Sequence, residues 1–325
     1  MPSVSTILKG LFVLAPLVAA APAQLDARQA SSSASASSSA AASSATSSAA
    51  AAASSAAPAA AGKLSDVDIL QFALTAEHLE STFYKQGFAK FPASDFKALG
   101  LTDGQIKSLM GVGATEATHV TTLMSAITGA GAKPVEPCDY NFDAALASAD
   151  AMVKTARVLE AVGVSAYLGA APAINSSDVL SAAASIVTVE SRHQAFIRIA
   201  SGAEPVPAAF DTPLQPRAVF TLAAQFIKSC PQGSNLNIQA FPAIALQNPE
   251  KATVGQNLKL ADPASPAGAS FCAFVAPGGA QFSQISNGNC MVPQNLAGEV
   301  YMMITKSQST ADDQILAGPS VIQPS

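Results

Sequence analysis

Two short stretches, "GATEATHVTT" and "TVESRHQAFI", carry the same two side chains at the same interval: Glu116 with His119, and Glu190 with His193. On a helix, residues three apart stand about one turn from each other and point the same way. The chain has only 3 His, and two of them follow a Glu by this step. One such pair alone reads as an exposed helix turn with a weak side-chain contact. Two pairs read as metal ligands, because a carboxylate and an imidazole on one helix face suit a divalent transition metal.

Both pairs sit on long amphipathic patterns, and two further patterns accompany them. "SDVDILQFALTAEHLESTFYKQGF" opens with Ser65 and Asp68 at capping-box spacing and aligns Leu70, Leu74, Glu77, Ser81 and Tyr84 on one face. A second run from Thr102 aligns Ile106, Leu109, Gly113, Glu116, Val120, Leu123 and Ile127, with His119 beside them. A third, "FDAALASADAMVKTARVLEAVGVSAYLGAA", aligns Leu146, Ala149, Val153, Ala156, Glu160, Gly163 and Tyr167. The fourth, capped at Ser176 or Ser177, aligns Val179, Ala183, Ile186, Glu190, His193 and Ile197. Four helices of roughly 38 Å each, with narrow apolar stripes, predict a four-helix bundle. The link "AGAKPVEPCDYN" between the second and third runs contains two Pro and reads as extended. About a dozen extended residues reach roughly 40 Å, enough to cross the bundle lengthwise, which is the ferritin-like topology.

The inner stripes then hold Glu77, Glu116 with His119, Glu160, and Glu190 with His193. One Glu from each of two helices plus Glu-x-x-His from each of the others is the ligand set of a dinuclear carboxylate site. Four carboxylates facing one core without cations would repel and would be costly to desolvate. Glu80, one turn beyond Glu77, competes with it for the ligand role; Glu77 is preferred because its stripe includes Leu70, Leu74 and Tyr84. His78 lies about 100° round the helix from Glu77 and reads as a partly exposed or a structural His. Tyr84 and Tyr167 each follow a proposed ligand by seven residues. They read as core aromatics with satisfied hydroxyls, or else as hydrogen-bonding or redox-active neighbours of the site. Gly113 and Gly163 leave room for metal, water or dioxygen, or for close helix contacts.

A net charge of −5 with only 17 Lys plus Arg excludes the clustered basic face of a nucleic-acid binder, and no basic run suggests a membrane-surface patch. "MPSVSTILKGLFVLAPLVAAAPA" reads as a secretory leader, residues 1–20, since its apolar run is short and is broken by Pro16. Residues 21–62, almost wholly Ser and Ala from residue 30 onward, have no apolar face to bury and read as a disordered spacer, a candidate for O-glycosylation. The expected product is extracellular, free of membrane after cleavage, with cell-wall association as a further expectation. The 4 Cys favour disulfides in a secreted chain. Three pairings are open; Cys272 with Cys290 and Cys138 with Cys230 are expected. The sequon "NSS" places Asn175 in an inter-helix turn.

The expected organisation is α+β and multidomain. A bundle at 63–204 is followed by a connecting helix within 205–230, "RAVFTLAAQFIKS". A β-sandwich-like domain at 231–325 is then built from "LNIQAFPAIAL", "NLKLAD", "SFCAFVA", "FSQISN", "GEVYMMITK" and "AGPSVIQ". No catalytic constellation stands in that last part, and Asp312 with Asp313 reads as a turn.

"ILQFALTAEHLESTFYKQGF", "GATEATHVTTLMSAI", "PCDYNF", "LEAVGVSAYLGAA" and "VESRHQAFIR" resemble the secreted fungal ferritin-like domain proteins, often described as stress-response, desiccation-related or sexual-development proteins. The resemblance covers about residues 63–200 firmly. It implies that Glu116 and Glu190 bridge two metals, that Glu77 and Glu160 are terminal ligands, and that His119 and His193 sit one on each metal. The implied cofactor is a pair of iron ions, with manganese as the alternative, and the implied partner is dioxygen or peroxide. Opposed to this redox reading is a non-enzymatic surface or wall protein, or one that sequesters metal.

Overall fold

The computed structural model describes residues 64–231, 238–247, 252–261 and 266–324. The expected leader and Ser/Ala spacer lie outside the described residues, as does part of the stretch "LNIQAFPAIAL".

Helix α1 (Asp66–Lys90) starts at a capping box in which the Ser65 side chain meets the Asp68 backbone and the Asp68 side chain reaches back to Ser65. A short helix α2 (Ala93–Ala98) leads into α3 (Asp103–Gly129), whose Thr102 and Gln105 form a second capping box. Helix α4 (Ala149–Ala170) is capped by Ser148, and α5 (Ser177–Ala200) by Ser176. The third run therefore begins as a helix later than Phe142. Residues 143–146 form a turn instead, although Leu146 is buried as its stripe requires. Helix α1 packs mainly on α3, and α4 mainly on α5.

The link from α3 to α4 runs the length of α1. Gln71 contacts it near its start, donating to the Lys133 carbonyl at 2.7 Å and accepting from the Val135 N–H at 2.8 Å. His78 Nε2 lies 3.2 Å from the Val135 carbonyl oxygen further along. Phe142 then packs edge-on to Phe83, with ring centroids 5.4 Å apart, and Lys90 Nζ donates to the Leu146 carbonyl at 2.7 Å. His78 thus clasps this link to α1 and is buried, which bears out the structural reading of its position and not the partly exposed one; burial lowers its pKa. A two-residue strand β1 (Asp139–Tyr140) in this link pairs antiparallel with β2 (Ile227–Ser229), and a disulfide joins Cys138 to Cys230.

The connecting helix is shorter than its apolar pattern suggests: α6 spans Pro216–Ala224, and the residues after it become β2. Beyond it lie β3 (Asn257–Lys259), β4 (Phe271–Ala276), β5 (Gly279–Gln284), β6 (Asn289–Met291), β7 (Val300–Thr305) and β8 (Ile315–Ile322). Strands β5-β4-β7-β8 form one antiparallel sheet, and β3 pairs with β6 as a separate ribbon. "LNIQAFPAIAL" contributes no strand among its described residues, only an isolated bridge from Leu246 to Leu260.

Alternation along the strands assigns the two sheet faces. Cys272, Phe274, Met302 and Ile304 pack with Leu258 and Cys290 of the ribbon, and the Cys272–Cys290 disulfide fastens ribbon to sheet. Ala273, Tyr301 and Met303 on the opposite face pack with Val162 and Ala166 of α4 and with Ala218 and Leu222 of α6. Strand β7 is consequently buried along its whole length, which explains its continuous apolar sequence. The Tyr301 hydroxyl donates to the Ala161 carbonyl at 2.9 Å and lies 2.8 Å from Ser165 Oγ, bracing α4. Nearby, Glu299 receives Arg198 and Gln194 from α5 and lies 3.3 Å from Arg157 Nε of α4.

Candidate metal centre

Between two apolar clusters of the helices lies one polar layer. One cluster contains Phe83, Leu109, Met152 and Ile197, the other Leu74, Leu123, Ile127 and Ile186. All six side chains singled out by their spacing meet in that layer. Glu116, Glu160 and Glu190 are 0% exposed and Glu77 is 1% exposed. His119 and His193 are also buried. Their ring centroids are 6.2 Å apart, and each turns its Nδ1 toward the carboxylates.

The contacts converge on two points. His119 Nδ1 lies 3.0 Å from Glu116 Oε2, 3.0 Å from Glu190 Oε1 and 3.3 Å from Glu77 Oε2. His193 Nδ1 lies 2.7 Å from Glu116 Oε1 and 3.3 Å from Glu160 Oε2. Two donor groups result: Glu77, Glu116, His119 and Glu190, and Glu116, Glu160, Glu190 and His193, each with ligand atoms within 4.8 Å of one another. Glu116 and Glu190 belong to both.

Apart from the hydrogen bond between His119 Nδ1 and Glu116 Oε2, these atoms are close without being paired. Glu77 Oε2, Glu116 Oε1, Glu160 Oε2, both oxygens of Glu190 and His193 Nδ1 are buried with no hydrogen-bond partner. Buried polar atoms normally find partners, and leaving several lone pairs unmet is costly. A cation at each focus would meet them, so the residues fit a metal. The electrostatics point the same way. Burial, partly offset by His119, and the repulsion of neighbouring carboxylates hold Glu77 up at about 8 and Glu190 at about 8. Burial opposes charge on the imidazoles, yet their carboxylate neighbours raise His119 to about 12 and His193 to about 10. Glu116 is buried too, but the two imidazoles draw it down to about 2. Where no cation is present, protons must occupy its place.

The outer oxygens of the peripheral carboxylates are held from across the helices. Tyr84 of α1 donates to Glu160 Oε1 on α4 at 2.5 Å, and Tyr167 of α4 donates to Glu77 Oε1 on α1 at 2.6 Å. Each Tyr thus fixes the carboxylate of the opposite helix, and burial together with that carboxylate pushes both phenols well above their usual range. The seven-residue step from Glu to Tyr, present on both helices, was the signal in the sequence; the reciprocal crossing was not legible there. Gly113 is a close helix contact, since a Cβ there would stand 2.9 Å from Tyr84 Cβ. Gly163 faces the carboxylates instead: a Cβ there would lie 3.0 Å from Glu190 Oε2 and 3.3 Å from Glu80 Oε1. Glu80 is buried nearby but belongs to neither donor group.

Residues 65–203 match the family model for the ferritin-like domain. The protein rds1 of Schizosaccharomyces pombe is 27% identical over 185 residues, covering 57% of this chain and 45% of that protein. The match therefore spans less than half the relative's length. Two disulfides leave no free cysteine and suit an oxidising, extracellular environment. No helix among the described residues is long and apolar enough to cross a membrane. The buried Glu and His cluster is compatible with a metal site of the kind ferritin-like domains often hold, with iron as the usual ion. The helical part of the chain, residues 65–203, is a ferritin-like domain, and the resemblance to fungal ferritin-like proteins carried by its motifs holds.

Proposed function

We propose that this is a secreted metalloprotein whose four long helices form a ferritin-like bundle with one crossover, holding a dinuclear iron centre that reacts with dioxygen or peroxide. Manganese is the alternative metal. In this reading the bundle occupies 63–204, and the C-terminal region, 231–325, is a β-sandwich-like unit with the β3–β6 ribbon in place of a second sheet. The observation that carries the proposal is the sharing of Glu116 and Glu190 between the two donor groups. Shared carboxylates are what two cations held close together require to offset their repulsion.

Glu116 and Glu190 would bridge, Glu77 and Glu160 would be the terminal carboxylates, and His119 and His193 would present one Nδ1 to each metal. When bound, the metals would supply the electrons for reduction of dioxygen or peroxide. The chain's own work is to hold the donors and to keep water out. Tyr84 and Tyr167 occupy the outer oxygens of Glu160 and Glu77, leaving the inner oxygens free to turn toward the centre. Displacement of the protons retained on the carboxylates and imidazoles would accompany loading.

The complete burial of the donors also favours a second reading, in which metal is sequestered without turnover by an extracellular or wall-associated protein. Elemental mass spectrometry of the full chain, followed by oxygen uptake on addition of Fe(II), separates the two. About two metals per chain with dioxygen consumption supports the redox centre. Bound metal with no uptake supports sequestration, and a folded chain that takes up neither iron nor manganese overturns both.

A further inference from the structure

A cavity of about 190 Å³ opens between α3 and α5 and reaches inward to Glu77 and Glu80. Its outer residues Thr122, Ala126 and Ala182 are exposed, whereas both carboxylates at its inner end are buried. Between the ends its walls are apolar: Phe72, Ala73, Leu123, Ala166, Val179 and Ala183. A second cavity, of about 410 Å³, lies between α1, α4, α6 and β8 and shares Ala76, Glu80 and Gly163 with the first. Glu80 therefore stands in the partition between two cavities, opposite a residue with no side chain.

Glu80 is not required by the six-donor set. It is 4% exposed, and burial, then the charges of Glu190, Glu77, Glu116 and Glu160, push its carboxyl well above the usual range. Its carboxyl lines both cavities, and its carbonyl oxygen can accept from an outside donor whether or not the group is protonated. The size of the cavity limits what could bring it. A dry protein cavity of about 150 Å³ holds benzene, so this one suits a molecule slightly larger. We propose that the cavity binds a compact apolar molecule of roughly six to eight carbon atoms carrying one hydroxyl, with the hydroxyl donating to Glu80 and the hydrocarbon lying among Phe72, Leu123 and Val179. Two surroundings favour this orientation: the hydrocarbon leaves water for apolar walls, and the hydroxyl reaches the acceptor that the walls lack.

The test compares p-cresol with p-xylene, which have the same shape and differ in the hydroxyl. Calorimetric titration of the full chain should show one equivalent of p-cresol bound about tenfold more tightly than p-xylene. Ala183→Phe should abolish binding of both by filling the cavity, and Glu80→Leu should equalise them. A crystal of the wild-type chain soaked in p-cresol should place the ring between Phe72, Leu123 and Val179, which settles the site even if Ala183→Phe fails to fold. No binding to the wild type, a ring elsewhere, or a hydroxyl preference that survives in Glu80→Leu would overturn the proposal. The titration is run on protein with and without added metal. Binding to a chain that takes up no metal would leave this site standing while the dinuclear reading falls.

Discussion

The helix pairs α1/α3 and α4/α5 present the same side chains at the same intervals. Glu77 and Tyr84 on α1 correspond to Glu160 and Tyr167 on α4; Glu116 and His119 on α3 correspond to Glu190 and His193 on α5. Each pair lends a phenol to the other's carboxylate and one Glu to both donor groups. They part company at one inner position, where α1 carries Glu80 and α4 carries Gly163. They also differ in support. The second pair leans on the sheet through Tyr301 and Glu299, whereas the first is clasped by the crossover link through Gln71 and His78. Where the pairs agree, the arrangement would suit a metal centre with two equivalent halves; where they differ, the two halves are not alike.

The sharpest way to test that equivalence is to remove the shared carboxylates. Glu116→Ala with Glu190→Ala should eliminate bound metal, read by elemental mass spectrometry. Glu77→Ala and Glu160→Ala singly should each leave about one metal per chain; markedly unequal losses would break the correspondence. Removing the anchor of the second pair comes next. Glu299→Ala strands Arg157 and Arg198 near the buried surface and should cost about 3 to 5 kcal/mol of stability by denaturant titration. A cost under about 1 kcal/mol would mean that the two helix pairs do not differ in how they are held.

Smaller effects follow at the phenols. Tyr84→Phe and Tyr167→Phe should each weaken metal binding about 10- to 100-fold, and by similar amounts, when measured by competition with a chelator. A large effect from one and none from the other would show that the crossing is not functionally reciprocal. In the metal-free chain the raised pKa values set the direction of the pH dependence. Glu77 and Glu190, at about 8 against 4.5, keep protons in the fold that the unfolded chain has released. His119 at about 12 and His193 at about 10 do likewise above 6.5. Stability should therefore be fully present near pH 4.5 and decline as pH rises through about 8. Metal affinity should rise over the same window. A denaturation midpoint for the metal-free chain that climbs between pH 5 and 8 would contradict this account. The smallest expected change is at the odd position: Glu80→Ala should leave metal content where it was, and a loss of one metal would make Glu80 a ligand.

The donors were legible in the sequence because His and Glu are scarce and recur at helical spacing within apolar stripes. The long link beside α1 was legible because the Pro-bearing stretch "AGAKPVEPCDYN" cannot continue a helix and is long enough to travel. Glu77 was separated from Glu80 by its stripe, and only Glu77 enters a donor group. Other features depend on contacts between distant parts of the chain, which no periodicity records. The unbroken apolar run "VYMMIT" says that β7 is covered on both faces, but not that helices supply one cover and a ribbon the other. Glu299 reads as a charge in a loop until Arg157 and Arg198 are seen beside it. Helix α4 begins late because Ser148 can cap a backbone that Phe142 has already anchored in the core.

The disulfide between Cys138 and Cys230, 92 residues apart in sequence, closes a covalent ring through the chain. Glu160, Glu190 and His193 lie inside that ring, while Glu77, Glu116 and His119 lie outside it. Closing a loop of this length lowers the entropy of the unfolded chain by an amount worth about 4 to 5 kcal/mol. The oxidised chain therefore begins its conformational search with one half of the centre already confined to a lasso. The other half, on a free arm, has to find it.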